Sequence, residues 1–124
     1  MPEIGHRRWA IAEGYIPGQS LNQSHALVSH ETICLLNAGD SDAQVKVTLY
    51  FKDRDPVGPY NVTVGARRTL HLRFNDLTDP APVPRDTEYS SVIESSVPIV
   101  VQHTRLDSRH PNIELMSTVG YCAA

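Results

Sequence analysis

Apolar side chains recur at every second position along most of this chain, a spacing that places them on one face of a strand and on no single face of a helix. Between Ala43 and Lys52, Val45, Val47, Leu49 and Phe51 alternate with Gln44, Lys46, Thr48, Tyr50 and Lys52. Leu70, Leu72 and Phe74 alternate with Thr69, His71 and Arg73 in the same way. Both apolar rows are expected to face a core. Further strands are expected over 8–12, 31–36, 60–64, 89–94, 98–106 and 114–121, separated by turn clusters such as NAGD and DRDPVG. Pro98, early in its strand, suggests an edge or entry position, because its ring removes a ladder donor. About eight short strands with no helical period predict an all-β fold, an antiparallel β-sandwich or barrel.

A chain of 124 residues suits one domain, 1–124, with enough interior for a real core. Eleven basic and fourteen acidic residues leave a net charge of -3, with both signs scattered. That lacks the basic footprint of a protein that coats nucleic acid or an anionic membrane, although Arg67, Arg68 and Arg73 could form a local patch. Cys34 and Cys122 lie in apolar runs and fit buried reduced thiols better than a disulfide framework. No run has the length that spans a bilayer and no leader-like apolar segment opens the chain, so a soluble, cytoplasmic protein is expected. Asn22 and Asn61 then carry no glycosylation meaning. The polar segment Gly18 to Leu27 reads as a mobile loop, whereas the prolines of Asn75 to Glu88 favour an ordered loop lying over something.

One segment departs from the plain alternation. In VPIVVQHTRLDSR, Val97, Ile99 and Val101 share a face with His103, Arg105, Asp107 and Arg109 if the strand persists that far. The face changes from core to charged donors and acceptors on one rigid element, which is how binding sites gain precision. A row of ion pairs, or a strand end emerging into solvent, is the structural alternative.

The segments WAIAEGYIP (9–17), SHETICLLNAGD (29–40), DPVGPY (55–60), ARRTLHLRFNDLTDPAPVP (66–84) and VPIVVQHTRLDSR (97–109) resemble the sensory rhodopsin transducer family, small soluble bacterial proteins. The resemblance weakens over the first five residues, in Gly18 to Leu27 and after Arg109. It implies a β-sandwich, a cytoplasmic homotetramer, and signal transduction rather than catalysis. It also implies a membrane photoreceptor such as a sensory rhodopsin, a polar small molecule (a sugar-like or anionic metabolite), or both, as partners.

The matching strings assemble a candidate ligand-binding set of Trp9, Glu13, Glu31, Arg67, His103, Arg105 and Asp107, with His30, Arg68 and His71 nearby. An aromatic face, carboxylates and guanidinium forks suit a polar ligand. A lone tryptophan of a small sandwich such as Trp9 more often serves the core or an interface, and Glu31 with Arg105 could be a structural ion pair. Six histidines make no H-x-H, H-E-x-x-H or Cys/His spacing, so no metal and no cofactor are expected. The chain also has no G-x-S-x-G, P-loop or paired-carboxylate motif, so no catalytic residues are assigned and the protein is expected not to be an enzyme. The alternatives are a DNA-contacting, transcription-linked regulator acting through the three arginines and, more remote, a sugar-processing enzyme.

Overall fold

The computed structural model describes residues 3–123. Eight antiparallel strands follow in order: β1 (His6–Ile11), β2 (His30–Asn37), β3 (Ala43–Tyr50), β4 (Val57–Val64), β5 (Arg68–Arg73), β6 (Ser90–Asp107), β7 (Glu114–Val119) and β8 (Tyr121–Ala123). A single 3-10 turn, Phe74–Asp76, follows β5. The fold is the expected all-β antiparallel sandwich.

Strand β6 belongs to both layers. Its first half lies between β3 and β1 in a sheet ordered β4-β3-β6-β1-β8. Its second half lies between β2 and β7 in a sheet ordered β5-β2-β6-β7. The two strands expected over 89–94 and 98–106 are therefore one strand of 18 residues. Pro98 is neither at an edge nor at an entry: the ladder to β3 ends at Ser95 and the ladder to β2 begins at Val100, so the missing N–H falls at the crossing, where no ladder donor is needed. The strand expected over 114–121 is instead two. Gly120 sits at the break and donates its N–H to the Val101 carbonyl, and β8 goes on to pair with β1 in the other sheet.

Ile33, Leu35, Val47, Leu49, Ile93, Ile99 and Val101 fill the space between the layers with no exposed surface. Phe51 does not join them. It lies beyond the end of β3, half-buried, with the Arg54 guanidinium 5.0 Å from its ring centre. Leu70 and Leu72 are also only half-buried, because β5 is an edge strand paired to β2 alone, while Phe74 is fully inside. Leu49→Ala is thus expected to cost about 2–5 kcal/mol and Phe51→Ala clearly less, measured by the denaturant midpoint.

The proline-bearing loop before β6 is ordered against the body: Val83 is buried, and the Tyr60 hydroxyl donates to the Ala81 carbonyl at 2.6 Å. The 18–27 segment is largely exposed, with the Leu21 N–H held by the Ser108 carbonyl. Both cysteines are free but half-buried rather than buried.

Candidate functional site

Glu31 and Arg105 are direct cross-strand partners in the β2–β6 ladder, and His103 lies one inward position back along β6. The alternation that turns Ile99 and Val101 into the core turns His103 in with them, and it leaves Arg105 at the margin, 20% exposed. Glu31 has no exposed surface and accepts four hydrogen bonds. The Tyr15 backbone N–H and the Tyr89 hydroxyl reach Oε1, each at 3.0 Å, while His103 Nε2 at 3.0 Å and Arg105 Nε at 2.7 Å reach Oε2. A buried carboxylate survives only when paired and fully hydrogen-bonded, and here every oxygen is served twice.

Ionisation follows from this arrangement. Burial opposes charge on Glu31, but hydrogen bonds and charge from His103 and Arg105 outweigh it and hold the carboxyl below its ordinary range. Burial, then the neighbouring Glu31 charge, pushes the Tyr89 phenol far up, so it remains a donor. Desolvation works against the Arg105 charge, yet Glu31 and Glu13 together raise its pKa.

Arg105 also reaches outward, from Nη2 to Glu13 Oε2 at 2.9 Å. Around the carboxylate, two chain segments are stitched together. Asp86, in the left-handed region at φ 54°, takes the Gly18 N–H at 2.8 Å on its side chain and donates its own N–H to the Ile16 carbonyl. The Tyr89 N–H donates to the Gly14 carbonyl, and a Cβ on Gly14 would overlap the Tyr89 ring, so glycine is required at that approach. Asn75 ties the 3-10 turn to β2, its Oδ1 accepting from the Glu31 N–H and its Nδ2 donating to the Ser29 carbonyl.

Of the seven candidate residues, Glu13, Glu31, His103 and Arg105 come together. Asp107 sits one step out: Arg109 grips its carboxylate, with Nη2 to Oδ2 at 2.7 Å, lowering its pKa, and the Arg109 guanidinium lies 5.8 Å from the Tyr15 ring centre. Trp9 is elsewhere, buried, its Nε1 shared at 3.0 Å between the His6 and Ile99 carbonyls at the crossing of β6. Arg67 is at the far end of the second sheet, in the left-handed region at φ 56°, its N–H bonded to the Gly39 carbonyl. Its guanidinium is 76% exposed and 3.8 Å from Asp40. Arg67 and Arg68 adjoin each other, but Arg73 is five residues on, roughly 17 Å at strand spacing, with its guanidinium on the His25 carbonyl. The three arginines are not one patch.

Tyr15, Tyr89 and Asn75 were not legible as site residues. Their roles rest on backbone groups and loop crossings that no spacing reveals. Beside Glu13 and Tyr89 opens a cleft of about 380 Å³, walled by Tyr50, Phe51, Lys52 and Glu88. Among the described residues no group of three or more His, Cys, Asp or Glu is arranged to hold a metal ion, and no helix is long and apolar enough to cross a membrane.

Fold and site together define an antiparallel β-sandwich whose layers share one strand and whose entry loops are anchored on a buried carboxylate. A family model described as Anabaena sensory rhodopsin transducer matches residues 4–122. A solved structure named Anabaena sensory rhodopsin transducer is 63% identical, with a TM-score of 0.78 over 87% of this chain and 94% of that one. A Thermotoga maritima protein, described as the crystal structure of Thermotoga maritima 1070, is 38% identical, with a TM-score of 0.86 over 97% of each chain. A search of curated proteins found no match. The chain belongs to the sensory rhodopsin transducer family, a transducer family rather than a known enzyme family.

Proposed function

We propose that this protein is a cytoplasmic signalling module that takes a polar small molecule in the cleft beside Glu13 and Tyr89 and passes the event to a membrane receptor of the sensory rhodopsin kind, acting as a self-associated assembly and without catalysis. The observation that carries the proposal is the double engagement of Arg105. Its Nε holds the buried Glu31 and its Nη2 holds the exposed Glu13. A ligand that competes for Glu13 at the cleft pulls on the same guanidinium that fixes Glu31, and Glu31 fixes the Tyr15 backbone and Tyr89. Occupancy at the surface thereby biases how the 13–18 and 85–89 segments dock, which is the differential interaction that a two-state signal requires.

The cleft is within the usual volume range of small-ligand sites; its aromatic wall and carboxylates suit a sugar-like ligand, and Lys52 is the one cation there for an anionic group. Receptor partnership is supported by family membership and by the name of the 63% identical relative.

A thermal-shift screen of neutral sugars and sugar acids tests the ligand. At 100 times its dissociation constant a ligand adds about 2.7 kcal/mol, which moves the midpoint by several degrees. The shift is expected to disappear in both Glu13→Gln and Tyr50→Ala. The bound ligand is also expected to change hydrogen exchange in 13–18 and 85–89. Hits that survive both substitutions, or unchanged exchange at saturation, would remove the cleft from the mechanism.

A further inference from the structure

The outer face of the second sheet carries a second groove, of about 510 Å³, which shares no lining residue with the cleft. Its floor follows from the ladders. Arg73, Thr32 and Thr104 are directly opposite one another across β5, β2 and β6, and the next row begins with His71 opposite Cys34. His25 from the preceding loop and His30 at the start of β2 close one end.

We propose that this groove binds a phosphate-like oxyanion on a small molecule, held by the Arg73 guanidinium and by the imidazoles of His30 and His71, with Thr32 and Thr104 hydroxyls as further donors.

The donor set is the first reason. Among the described residues the Arg73 side chain makes one hydrogen bond, from Nη1 to the His25 carbonyl at 2.7 Å, which anchors the guanidinium and leaves its other N–H groups for a ligand. The second is the tautomer of His30. Its Nδ1 lies 2.7 Å from the Val28 carbonyl, which can only accept, so Nδ1 carries the hydrogen and Nε2 takes any added proton. A protonated His30 becomes a donor from both nitrogens.

The groups facing His30 are His25 from the loop, Arg73 from β5 and Asp76 from the 3-10 turn, with the apolar Leu106 opposite it on β6. Burial, then the positive surroundings of Arg73 and His25, lower the His30 pKa, with the Val28 carbonyl and Asp76 opposing. A bound dianion reverses the repulsive part, so anion binding draws a proton into the groove. For an anion whose own charge is fixed over that range, affinity then rises as pH falls from 8 to 6. Asp76 is the one carboxylate lining the groove, and its negative charge works against the anion.

The test uses the intact chain, with inorganic phosphate, sulfate and a sugar phosphate as probes. Histidine ring signals are followed by NMR and heat is measured by calorimetry in two buffers of different ionisation enthalpy. The expected result is movement of the His30 and His71 signals on adding phosphate and, for sulfate, whose charge is the same at both pH values, tighter binding at pH 6 than at pH 8 with net proton uptake. Arg73→Gln is expected to weaken binding roughly tenfold or more, whereas Lys46→Gln, exposed on β3 in the other sheet, leaves it unchanged. A sugar phosphate that binds more tightly than phosphate itself assigns the anion to an organic ester, and equal affinities assign it to the free ion. Unmoved histidine signals, or affinity indifferent to Arg73→Gln in a variant that keeps the parent's thermal midpoint, would overturn the site. A DNA duplex that binds more tightly than any small phosphate and is lost with Arg73→Gln would overturn the small-molecule class.

Discussion

Glu31→Ala is expected to cost about 3–5 kcal/mol, a large part of the 5–15 kcal/mol that holds a domain of this kind together. The loss is more than one ion pair. The change leaves the buried His103 ring and Tyr89 hydroxyl without their acceptor, takes one of two carboxylate partners from the Arg105 guanidinium, and frees the Tyr15 N–H, so several donors lose their acceptor together. Glu13→Ala removes the other partner of the same arginine from a side chain 61% exposed, and is expected to cost less than about 1 kcal/mol. Denaturant titration of the two variants side by side measures the contrast, and equal losses would remove Glu31 from its central position.

Acid should reveal the same group. The folded state holds the Glu31 carboxyl below its ordinary value of 4.5, so its contribution is present above that value and is lost as pH falls through the folded pKa. The wild-type chain is therefore expected to lose stability below about pH 4.5 more steeply than Glu31→Ala, read from thermal midpoints across that range.

Charge placed on β7 is expected to break the assembly that the protein is proposed to form. All six residues of β7 are exposed, and Leu115 at 68%, Met116 at 39% and Val119 at 65% put apolar surface on a strand that has no partner on its outer side among the described residues, continued by Tyr121 at 72%. An open edge of this composition is a template for pairing, and native chains blunt it or use it. Proline, the usual edge blocker, is absent from β7, and Glu114 is its only charged residue. A second copy of the same edge satisfies both the free backbone groups and the apolar side chains, which is the self-complementary contact of a two-fold interface. Light scattering is expected to give about four times the 13.8 kDa chain mass for the wild type. The paired change Leu115→Glu with Val119→Glu is expected to reduce that mass at micromolar concentration while leaving the strand spectrum intact. A wild-type monomer, or an assembly indifferent to both charges, would reject β7 as the contact.

The strands were legible because each is half-buried, and half-burial writes itself into a chain as a period of two. Val45, Val47 and Leu49 follow that rule to full burial, and Phe51 breaks it only because β3 ends one residue earlier. His103, Arg105 and Asp107 were legible as one row for the same reason, since a strand carries its facing forward whatever the side chain is. Residue type alone puts Trp9 and Arg67 with that row, and type says nothing about distance: Asn37, at the end of β2 beside the Arg67 turn, lies about 20 Å along the strand from Glu31.

What the sequence determined by itself is facing and strand content, because both depend on neighbours one and two positions away. Whether 89–94 and 98–106 are two strands or one depends on whether the unpaired residues between them are spanned by a crossing from sheet to sheet, and Pro98 reads alike in either case. Tertiary structure alone brought the Tyr15 N–H, contributed by a loop, and Tyr89, 58 positions along the chain, onto a single carboxylate. It alone left β7 bare on both faces while β2, with a similar apolar content, is enclosed between β5 and β6. Burial of charge and exposure of apolar surface are both settled by what lies across the gap between segments distant in sequence, and a local pattern carries no record of that.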